Sequence, residues 1–252
     1  MQFSANLGFL WTELPLPDAI RAAKAAGFDA VECHWPYKTP ARSVAEALTE
    51  TGLPMLGLNT DRGDVAGGEN GLTALPGRAD QARAAIDQSL AYARAIGAGA
   101  VHVMAGFAEG AEAHATFCSN LAHACAEAGD DLKILIEPLN HHDAPGYFLR
   151  TSAQAAKIIG EVGAENLKLM FDCYHLQIME GDLTRLLTKR LPITGHIQIA
   201  AVPDRGAPDH GELDYGHILA HIAAEEWIRP IGAEYKPGGQ TEPTLGWMAR
   251  YR

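Results

Sequence analysis

The chain has 252 residues, of which 47% are hydrophobic and 20% are charged, and its formal net charge is −11. Such a composition is typical of a soluble globular protein and excludes a chain that is disordered throughout. The acidic balance argues against sequence-independent binding of nucleic acid, because Lys and Arg side chains supply most of that affinity.

The N-terminal residues and the cysteines indicate a cytoplasmic protein. Residues 1–10 lack the basic start of a secretion signal, and no stretch approaches the roughly 18 consecutive apolar residues that a membrane span requires. The four cysteines, Cys33, Cys118, Cys125 and Cys173, form no CxxC pair and match no common zinc-binding spacing. We therefore expect reduced, structural thiols and no membrane partner.

Short apolar runs alternate along the chain with segments in which apolar residues recur at helical intervals, and glycines follow several of these segments. In chain order, the pattern predicts strand Phe3–Phe9, helix Asp18–Ala26, strand Phe28–Cys33, helix Ser43–Thr51, strand Leu53–Leu58, helix Ala79–Ile96, strand Ala100–Met104, helix Ala111–Ala128, strand Lys133–Ile136, helix Thr151–Val162, strand Leu167–Phe171, helix Leu183–Leu191, strand Ile193–Ile199, helix Tyr215–Glu225 and strand Ile228–Ala233. Residues 59–78 are rich in glycine and are predicted to form a loop.

Eight apolar runs separated by helices predict a parallel sheet. The runs are apolar throughout, as expected for strands that are covered on both faces. An open doubly wound sheet would show the same alternation, but eight strands in a chain of this length favour closure. We therefore predict an α/β fold, a single (β/α)₈ TIM-barrel domain over residues 1–252. A dinucleotide-binding fold is not expected, because no GxGxxG motif opens a helix after the first strand.

Polar residues stand at the ends of the last four predicted strands. Glu137 follows strand five, Asp172 follows strand six, Gln198 lies within strand seven, and Glu234 follows strand eight. In a closed barrel these ends meet at the rim where TIM-barrel active sites form. Carboxylates held that close repel one another, so we expect the four residues to bind a divalent metal, Mg²⁺ or Mn²⁺. The alternative is a metal-free site in which one or two of the acids stay protonated.

Three basic or titratable residues near the same rim are candidate substrate contacts. His102 lies near the end of predicted strand four, two residues before Met104, and His175 comes three residues after Asp172, in a segment predicted to be a loop. Arg205 is the only cation in the polar loop 202–215, where its guanidinium could bind a carboxylate through two hydrogen bonds.

The earlier strands place more polar residues at comparable positions. Asn6, Glu32 and Asn59 stand at or near the ends of strands one to three. For Glu32 we favour a structural role as a hydrogen-bond or ion-pair partner. His196 comes two residues before Gln198, on the same side of the strand but deeper in the barrel, so core packing is expected there.

Several segments together resemble the hydroxypyruvate isomerase family, within the xylose-isomerase-like barrels. The segments are NLGFLWTELP, KAAGFDAVE, IEPLN, DAPGYFL, QAAKIIGEVGAENLKLMFDCYHLQIMEGDL, GHIQIA, RGAPDHGELDY and GAEYKP. Three further segments, GDVAGGENGLTALPGR, HVMAG and VPDR, are more similar to the relatives described as 2-oxo-tetronate isomerases. The similarity runs essentially from end to end, but it does not decide between a hydroxypyruvate isomerase and a 2-oxo-tetronate isomerase.

The resemblance implies a metal site formed by Glu137, Asp172, Gln198 and Glu234, with the two glutamates as acid/base residues. It also implies that His175 and Arg205 lie at the substrate. Two positions depart from the hydroxypyruvate-type pattern. Ala201 stands where a polar residue is frequent, and the pair His141-His142 stands where an arginine is common.

The chemistry that fits these residues is the isomerisation of a small hydroxy-keto acid through an enediol, with hydroxypyruvate and tartronate semialdehyde as the expected pair. A 2-oxo-tetronate isomerase or a ketose 3-epimerase on the same site is the alternative, and a noncatalytic sugar-acid binding protein is an alternative of another class. A nucleic-acid enzyme is disfavoured by the net charge and by glutamine at 198. A homo-oligomer is compatible with the sequence.

Overall fold

The computed structural model describes residues 1–252, and eight parallel strands form a nearly closed barrel that helices surround. The strands are β1 (Phe3–Asn6), β2 (Ala30–Glu32), β3 (Leu58–Asn59), β4 (Ala100–His102), β5 (Lys133–Ile136), β6 (Leu167–Asp172), β7 (Thr194–Ile199) and β8 (Ile231–Ala233). The helices are α1 (Leu16–Ala25), α2 (Ala41–Thr51), α3 (Ala79–Ile96), α4 (Gly110–Ala128), α5 (Ser152–Val162), α6 (Cys173–Met179), α7 (Leu183–Arg190), α8 (Tyr215–Ala224) and α9 (Met248–Tyr251). The predicted TIM barrel is thereby confirmed.

The strands pair in the order β2-β1-β8-β7-β6-β5-β4-β3. The remaining gap, between β2 and β3, is bridged by the residues just before β3. There, Val31 pairs with Met55, and the Cys33 amide donates to the Gly57 carbonyl at 3.1 Å. These contacts join β2 to the segment that leads into β3 and so nearly close the ring of strands. Because all the strands are parallel, their eight carboxyl ends lie at the same rim.

The helices bury one apolar side against this ring. In α3, for example, Ala82, Ile86, Leu90 and Ala93 are buried, at the helical spacing that the sequence shows. Gly97 follows in the left-handed conformation that a helix end requires. The helix contacts and the outward-facing strand residues belong to a hydrophobic cluster of 65 buried residues, which fixes where the strand ends lie.

The predicted elements differ from the structure mainly next to the rim. β1 ends at Asn6 because the Phe9 and Leu10 amides turn back to the Asn6 carbonyl. The segment after β6 is α6 and not the predicted loop, since the Asp172 side chain accepts a hydrogen bond from the Tyr174 amide and caps a new helix. His175 therefore lies in the first turn of a helix.

No helix of the structure combines the length with the apolar character that crossing a membrane requires.

Candidate active site

The last four strands bring their terminal polar side chains together at the centre of the rim. We call Glu137, Asp172, Gln198 and Glu234 the rim cluster; all four are buried. One carboxylate oxygen from each of its three acids and a ring nitrogen of His175 lie within 4.8 Å of one another. The Gln198 amide nitrogen is 3.3 Å from Glu234 Oε1. The convergence that the strand positions predict is thus present.

Strand register explains why these residues meet. Asp172 and Gln198 are direct partners in the pairing of β6 with β7. Gln198 is in turn paired with Gly232, two residues before Glu234, across the β7–β8 edge. Glu137 directly follows β5, whose Ile136 pairs with Leu169 of β6. Neighbouring strands therefore present successive polar residues at nearly the same height.

Glu234 has more hydrogen-bond partners than the other carboxylates of the rim cluster. Its Oε1 accepts from Asn6 Nδ2 at 2.8 Å and lies 3.1 Å from His34 Nε2. Its Oε2 accepts from the Arg205 guanidinium. Burial by itself would raise the pKa of Glu234, but the charge of Arg205 and the contact with His34 hold it well below its ordinary range.

Glu137 has the opposite surroundings. Its Oε1 is buried without a hydrogen-bond partner, and its Oε2 lies 3.7 Å from His102 Nδ1. Burial and the negative charges of Glu234 and Asp172 raise the pKa of Glu137 well above its usual value. Burial and the charge of Glu234 likewise raise the pKa of Asp172, to about 7. The rim cluster is therefore a place where negative charge accumulates at an energetic cost.

His175 is held in one tautomer by its neighbours. Its Nδ1 accepts a hydrogen bond from the Asn140 backbone amide at 3.0 Å. A backbone amide can only donate, so the ring hydrogen is on Nε2. Nε2 lies 3.7 Å from Asp172 Oδ2 and 3.9 Å from Glu137 Oε1. His175 consequently offers a hydrogen-bond donor to the site, and in this tautomer it is not a metal ligand.

Arg205 extends from the loop after β7 into the site. Its guanidinium contacts Glu234, lies 3.2 Å from Asp143 Oδ2 and lies 3.8 Å from Asp172 Oδ2. It packs against the faces of Phe9 and Tyr174, with its central carbon 4.7 and 5.0 Å from the ring centres. The side chain is thus a cation with only 11% of its surface exposed that partly balances the rim cluster, in contrast to a solvated loop arginine.

His102, the third predicted substrate contact, ends β4 beside Glu137. Its side chain is buried, and burial lowers the pKa of the ring to about 4, so the imidazole is neutral. Its Nε2 has no hydrogen-bond partner within the protein. A neutral ring with a free polar nitrogen could contact a bound molecule.

The rim cluster fits a divalent cation by the chemistry of its unpaired atoms. Glu137 Oε1, Asp172 Oδ2 and Gln198 Oε1 are all buried and all lack a hydrogen-bond partner. Unpaired buried acceptors are costly, and oxygen atoms of this kind are what Mg²⁺ and Mn²⁺ prefer. With Glu234 they form a four-residue oxygen set, in which the ion and Arg205 together would balance the charges of the three carboxylates.

A cavity of about 140 Å³ opens above the rim cluster. Its polar lining includes Glu137, Glu234, His102, His175 and Arg205. Phe9, Trp35, Met104 and Leu139 supply apolar walls. A small polar molecule bound there would lie beside the three predicted substrate contacts, His102, His175 and Arg205.

A second cavity, of about 130 Å³, lies inside the barrel below the first. Glu32 and His196 line it and form a buried pair, with 2.6 Å between Glu32 Oε2 and His196 Nε2. A Cβ at Gly232 would stand 2.3 Å from Glu32 Oε1 and 2.9 Å from His196 Nε2, so only glycine leaves room for the pair. Glu32 and His196 thus have the structural positions expected of them.

The sequence interpretation missed two residues that touch the site. His34 comes two residues after Glu32, at the end of β2, and contacts Glu234. Asn140 ends the IEPLN segment and binds His175. Attention to every polar residue within three positions of a strand end would have found His34. The position of Asn140 depends on the turn that follows β5, which strand spacing does not define.

The barrel and its acidic rim define a class of protein, the TIM-barrel enzymes whose active site forms at the carboxyl ends of the strands. The family model described as xylose isomerase-like TIM barrel matches residues 20–251. The chain belongs to this family, as the resemblance predicts.

Individual relatives agree with this assignment. The chain is 43% identical to a 2-oxo-tetronate isomerase of Cupriavidus necator, over 99% of this chain and 98% of the relative. It is 37% identical to the hydroxypyruvate isomerase of Escherichia coli K12, over the full length of both. A solved structure from Brucella melitensis, described as an AP endonuclease of family 2, superposes with a TM-score of 0.95 at 38% identity and covers 100% of this chain and 99% of that one. The prediction that the chain is an isomerase enzyme is confirmed by the first two.

Proposed function

We propose that this protein interconverts a small 2-keto-3-hydroxy acid and its aldehyde isomer, with hydroxypyruvate and tartronate semialdehyde as the substrate pair. The observation that carries the proposal is the set of buried, unpartnered oxygens of Glu137, Asp172 and Gln198, of which the two acids each have a carboxylate oxygen within 4.8 Å of one of Glu234. Two relatives that match this chain over nearly their full length, at 43% and 37% identity, are a 2-oxo-tetronate isomerase and a hydroxypyruvate isomerase. Their activities support this reaction class.

The reaction moves two protons and no heavy atom. One glutamate of the rim cluster removes a proton from the hydroxymethyl carbon of hydroxypyruvate, and the electron pair forms the carbon–carbon double bond of an enediol. A protonated glutamate then delivers a proton to the neighbouring carbon, which had been the carbonyl carbon. The proton of the original hydroxyl group passes to the former carbonyl oxygen. Glu137 and Glu234 are assigned these roles, and they exchange roles in the reverse direction.

The surroundings of the two glutamates suit this exchange. Without a bound cation, Arg205, Asn6 and His34 hold Glu234 in its ionised form, whereas burial among like charges raises the pKa of Glu137. A pair of carboxyl groups with opposed proton affinities can supply a base and an acid at the same pH. A bound divalent cation would supply positive charge beside the carbonyl and hydroxyl oxygens of the substrate.

Three side chains would orient the acid. His175 Nε2–H points toward the carboxylates of the rim cluster and can donate to a substrate oxygen. The Arg205 guanidinium, fixed between Phe9 and Tyr174, can donate two parallel hydrogen bonds to the substrate carboxylate. The neutral His102 ring can bind a hydroxyl group next to Glu137.

The test is a substrate panel assayed before and after removal of metal. Untagged protein is treated with a chelator, desalted and assayed with hydroxypyruvate, 2-oxo-tetronate and a free ketose, with and without Mg²⁺ or Mn²⁺. We expect hydroxypyruvate turnover that falls by at least about 10²-fold on chelation and returns with the metal. Turnover that survives complete removal of metal would contradict the metal-assisted mechanism, and binding of the acids without turnover would favour a binding protein.

A four-carbon substrate is the second candidate, because the 43% identical relative is a 2-oxo-tetronate isomerase. A higher kcat/KM for 2-oxo-tetronate than for hydroxypyruvate would establish it on the same site. A preference for the free ketose would instead indicate an epimerase, since such a substrate has no carboxylate for Arg205 to bind.

A further inference from the structure

A second group of metal-ligating side chains lies on the outer surface, between two helices of the barrel. We call His114 and Cys118 of α4 and Glu161 of α5 the helix cluster. His114 Nε2 lies 2.5 Å from Glu161 Oε2 and 3.7 Å from Cys118 Sγ. Cys118 Sγ lies 3.8 Å from the same Glu161 oxygen. One nitrogen, one sulfur and one oxygen therefore face a common point, and nothing in the proposed isomerase mechanism uses them.

These distances match the edges of a tetrahedral zinc site. With usual Zn–S, Zn–N and Zn–O bond lengths, the S–N and S–O edges are each about 3.6 Å and the N–O edge is about 3.4 Å. The two edges that include Cys118 are already within a few tenths of an ångström of these values. The His114–Glu161 edge has to open by less than 1 Å, which side-chain torsions allow because both groups are partly exposed.

The local sequence explains how the three ligands come together. His114 and Cys118 are four residues apart, so they lie one above the other on the same face of α4. Glu161 comes from the last turn of α5, which packs beside α4. Its Oε1 lies 3.7 Å from Lys157 Nζ, which leaves Oε2 to face the other two residues. The sequence predicted no zinc site because the third ligand comes from a different helix.

Cys118 also differs from the other cysteines in exposure. Cys33, Cys125 and Cys173 are buried, whereas Cys118 is partly exposed. A metal ion from solution can thus reach the sulfur of Cys118 and not those of the others, and a water molecule can complete the coordination.

We propose that the helix cluster is a second metal site, which binds Zn²⁺ or a similar transition-metal ion through His114 Nε2, Cys118 Sγ and Glu161 Oε2. The ion joins α4 to α5 and takes the place of the hydrogen between His114 Nε2 and Glu161 Oε2, and the neutral His114 ring then carries its one hydrogen on Nδ1. Binding converts the Cys118 thiol to a thiolate and releases its proton to solvent, with no change of oxidation state. The mixed N/S/O set selects Zn²⁺ or Co²⁺ over Mg²⁺, which prefers oxygen ligands.

The test uses Co²⁺ as a spectroscopic probe of thiolate coordination. Untagged, reduced protein is titrated with Co²⁺, and the near-ultraviolet charge-transfer band between sulfur and cobalt is recorded. We expect the band to appear with a stoichiometry of one per chain, and Zn²⁺ to remove it by competition. We expect Cys118→Ser to abolish it and His114→Gln to weaken the apparent affinity at least about tenfold.

His123 provides the matched control. It is also a partly exposed histidine of α4, and it pairs with Asp87 of α3 at 2.8 Å but belongs to no group of three close metal-ligating side chains. His123→Gln should leave the cobalt band and its affinity unchanged. Absence of the band in the unmodified protein, its persistence in Cys118→Ser, or equal loss in both histidine variants would each overturn the proposal.

The rim cluster does not interfere with this readout. It contains no sulfur, so a Co²⁺ ion bound there gives no thiolate band. Asp172→Asn should therefore leave the band in place, and Cys118→Ser should leave isomerase turnover in place. The two proposals can fail separately.

Discussion

The barrel interior contains two buried groups of charged or titratable residues, one above the other, and they are built on different principles. In the rim cluster, three carboxylates of like charge converge, and three of its oxygens lack partners. Below it, Glu32 and His196 form a pair across the barrel, 2.6 Å apart. His196 and Gln198 lie on the same face of β7, two positions apart, so only Ile197 stands between the two arrangements in the chain.

The difference between the two groups lies in the partners of their buried atoms, and it separates a binding site from a structural ion pair. The Glu32 carboxylate and the His196 imidazole are in close contact, and the removal of one member of such a buried pair is costly. A buried group with unpaired atoms is unfavourable for the protein alone and gains from a ligand. The comparison therefore predicts different effects for a Glu→Gln substitution at the two places. In the rim cluster it should lower activity, and at Glu32 it should lower the stability of the fold.

The largest effect is expected for Glu234→Gln. The change keeps the shape of the side chain but removes the base or acid of one proton transfer, so kcat for hydroxypyruvate should fall by about 10²–10⁴-fold. Steady-state kinetics at saturating metal measures it. Glu46→Gln, an exposed helix residue paired with Arg42, is the control and should leave kcat unchanged. Wild-type turnover in Glu234→Gln would show that the rim cluster is not the catalytic group.

A smaller effect is expected for Arg205→Gln, and it should fall on substrate binding. Loss of a charged hydrogen bond to the substrate carboxylate costs about 1.5–3 kcal/mol, so KM should rise roughly 10- to 150-fold. The measurement is the full dependence of rate on hydroxypyruvate concentration. A lower kcat with an unchanged KM would mean that Arg205 serves Glu234 and Asp143 alone.

Glu32→Gln tests the supporting pair and should act mainly on stability. The substitution removes the carboxylate that faces His196, so the free energy of unfolding should fall by about 1–3 kcal/mol while kcat stays near that of the wild type. Denaturant unfolding measures the first quantity and kinetics the second. Glu137→Gln should show the reverse, because it removes a proposed acid/base group whose Oε1 has no hydrogen-bond partner to lose. If Glu32→Gln abolished turnover without destabilising the fold, the distinction between site and support would be wrong.

The smallest effect is expected for Gly8→Ala. A Cβ at Gly8 would stand 2.0 Å from His34 Nδ1, so the ring must move and its contact with Glu234 weakens. Loss of one hydrogen bond predicts a fall in kcat/KM of up to about tenfold. Gly160→Ala is the matched control, since no other residue lies within 4 Å of its added methyl group. Equal activities of the two variants would remove His34 from the site.

The sequence predicted the barrel and the rim cluster because both follow from strand periodicity. Each late strand is an apolar run with a polar residue at its end, and closure brings Glu137, Asp172, Gln198 and Glu234 together in any eight-stranded barrel. It did not predict α6, whose start depends on one hydrogen bond from the Tyr174 amide to Asp172. That bond forms only once β6 has placed the carboxylate.

Contacts between loops could not be predicted from the sequence either. The polar loop 202–215 gave Arg205 as a candidate, but its entry between Phe9 and Tyr174 depends on a left-handed backbone at Arg205, with φ of 57°. Such a conformation is uncommon for arginine and is fixed by surrounding contacts. The pair of His114 and Glu161 likewise depends on how two helices pack.

The pairing of β1 with β8 has a consequence for how the protein is made. Asn6 donates to Glu234 across a separation of 228 positions in the chain. At ordinary rates of synthesis, the first of these residues leaves the ribosome on the order of tens of seconds before the second. A nascent chain that has not reached Glu234 has an unpaired edge on β1 and no complete rim. Enzyme activity therefore cannot precede translation of the eighth strand, and an interrupted message yields an inactive and association-prone fragment.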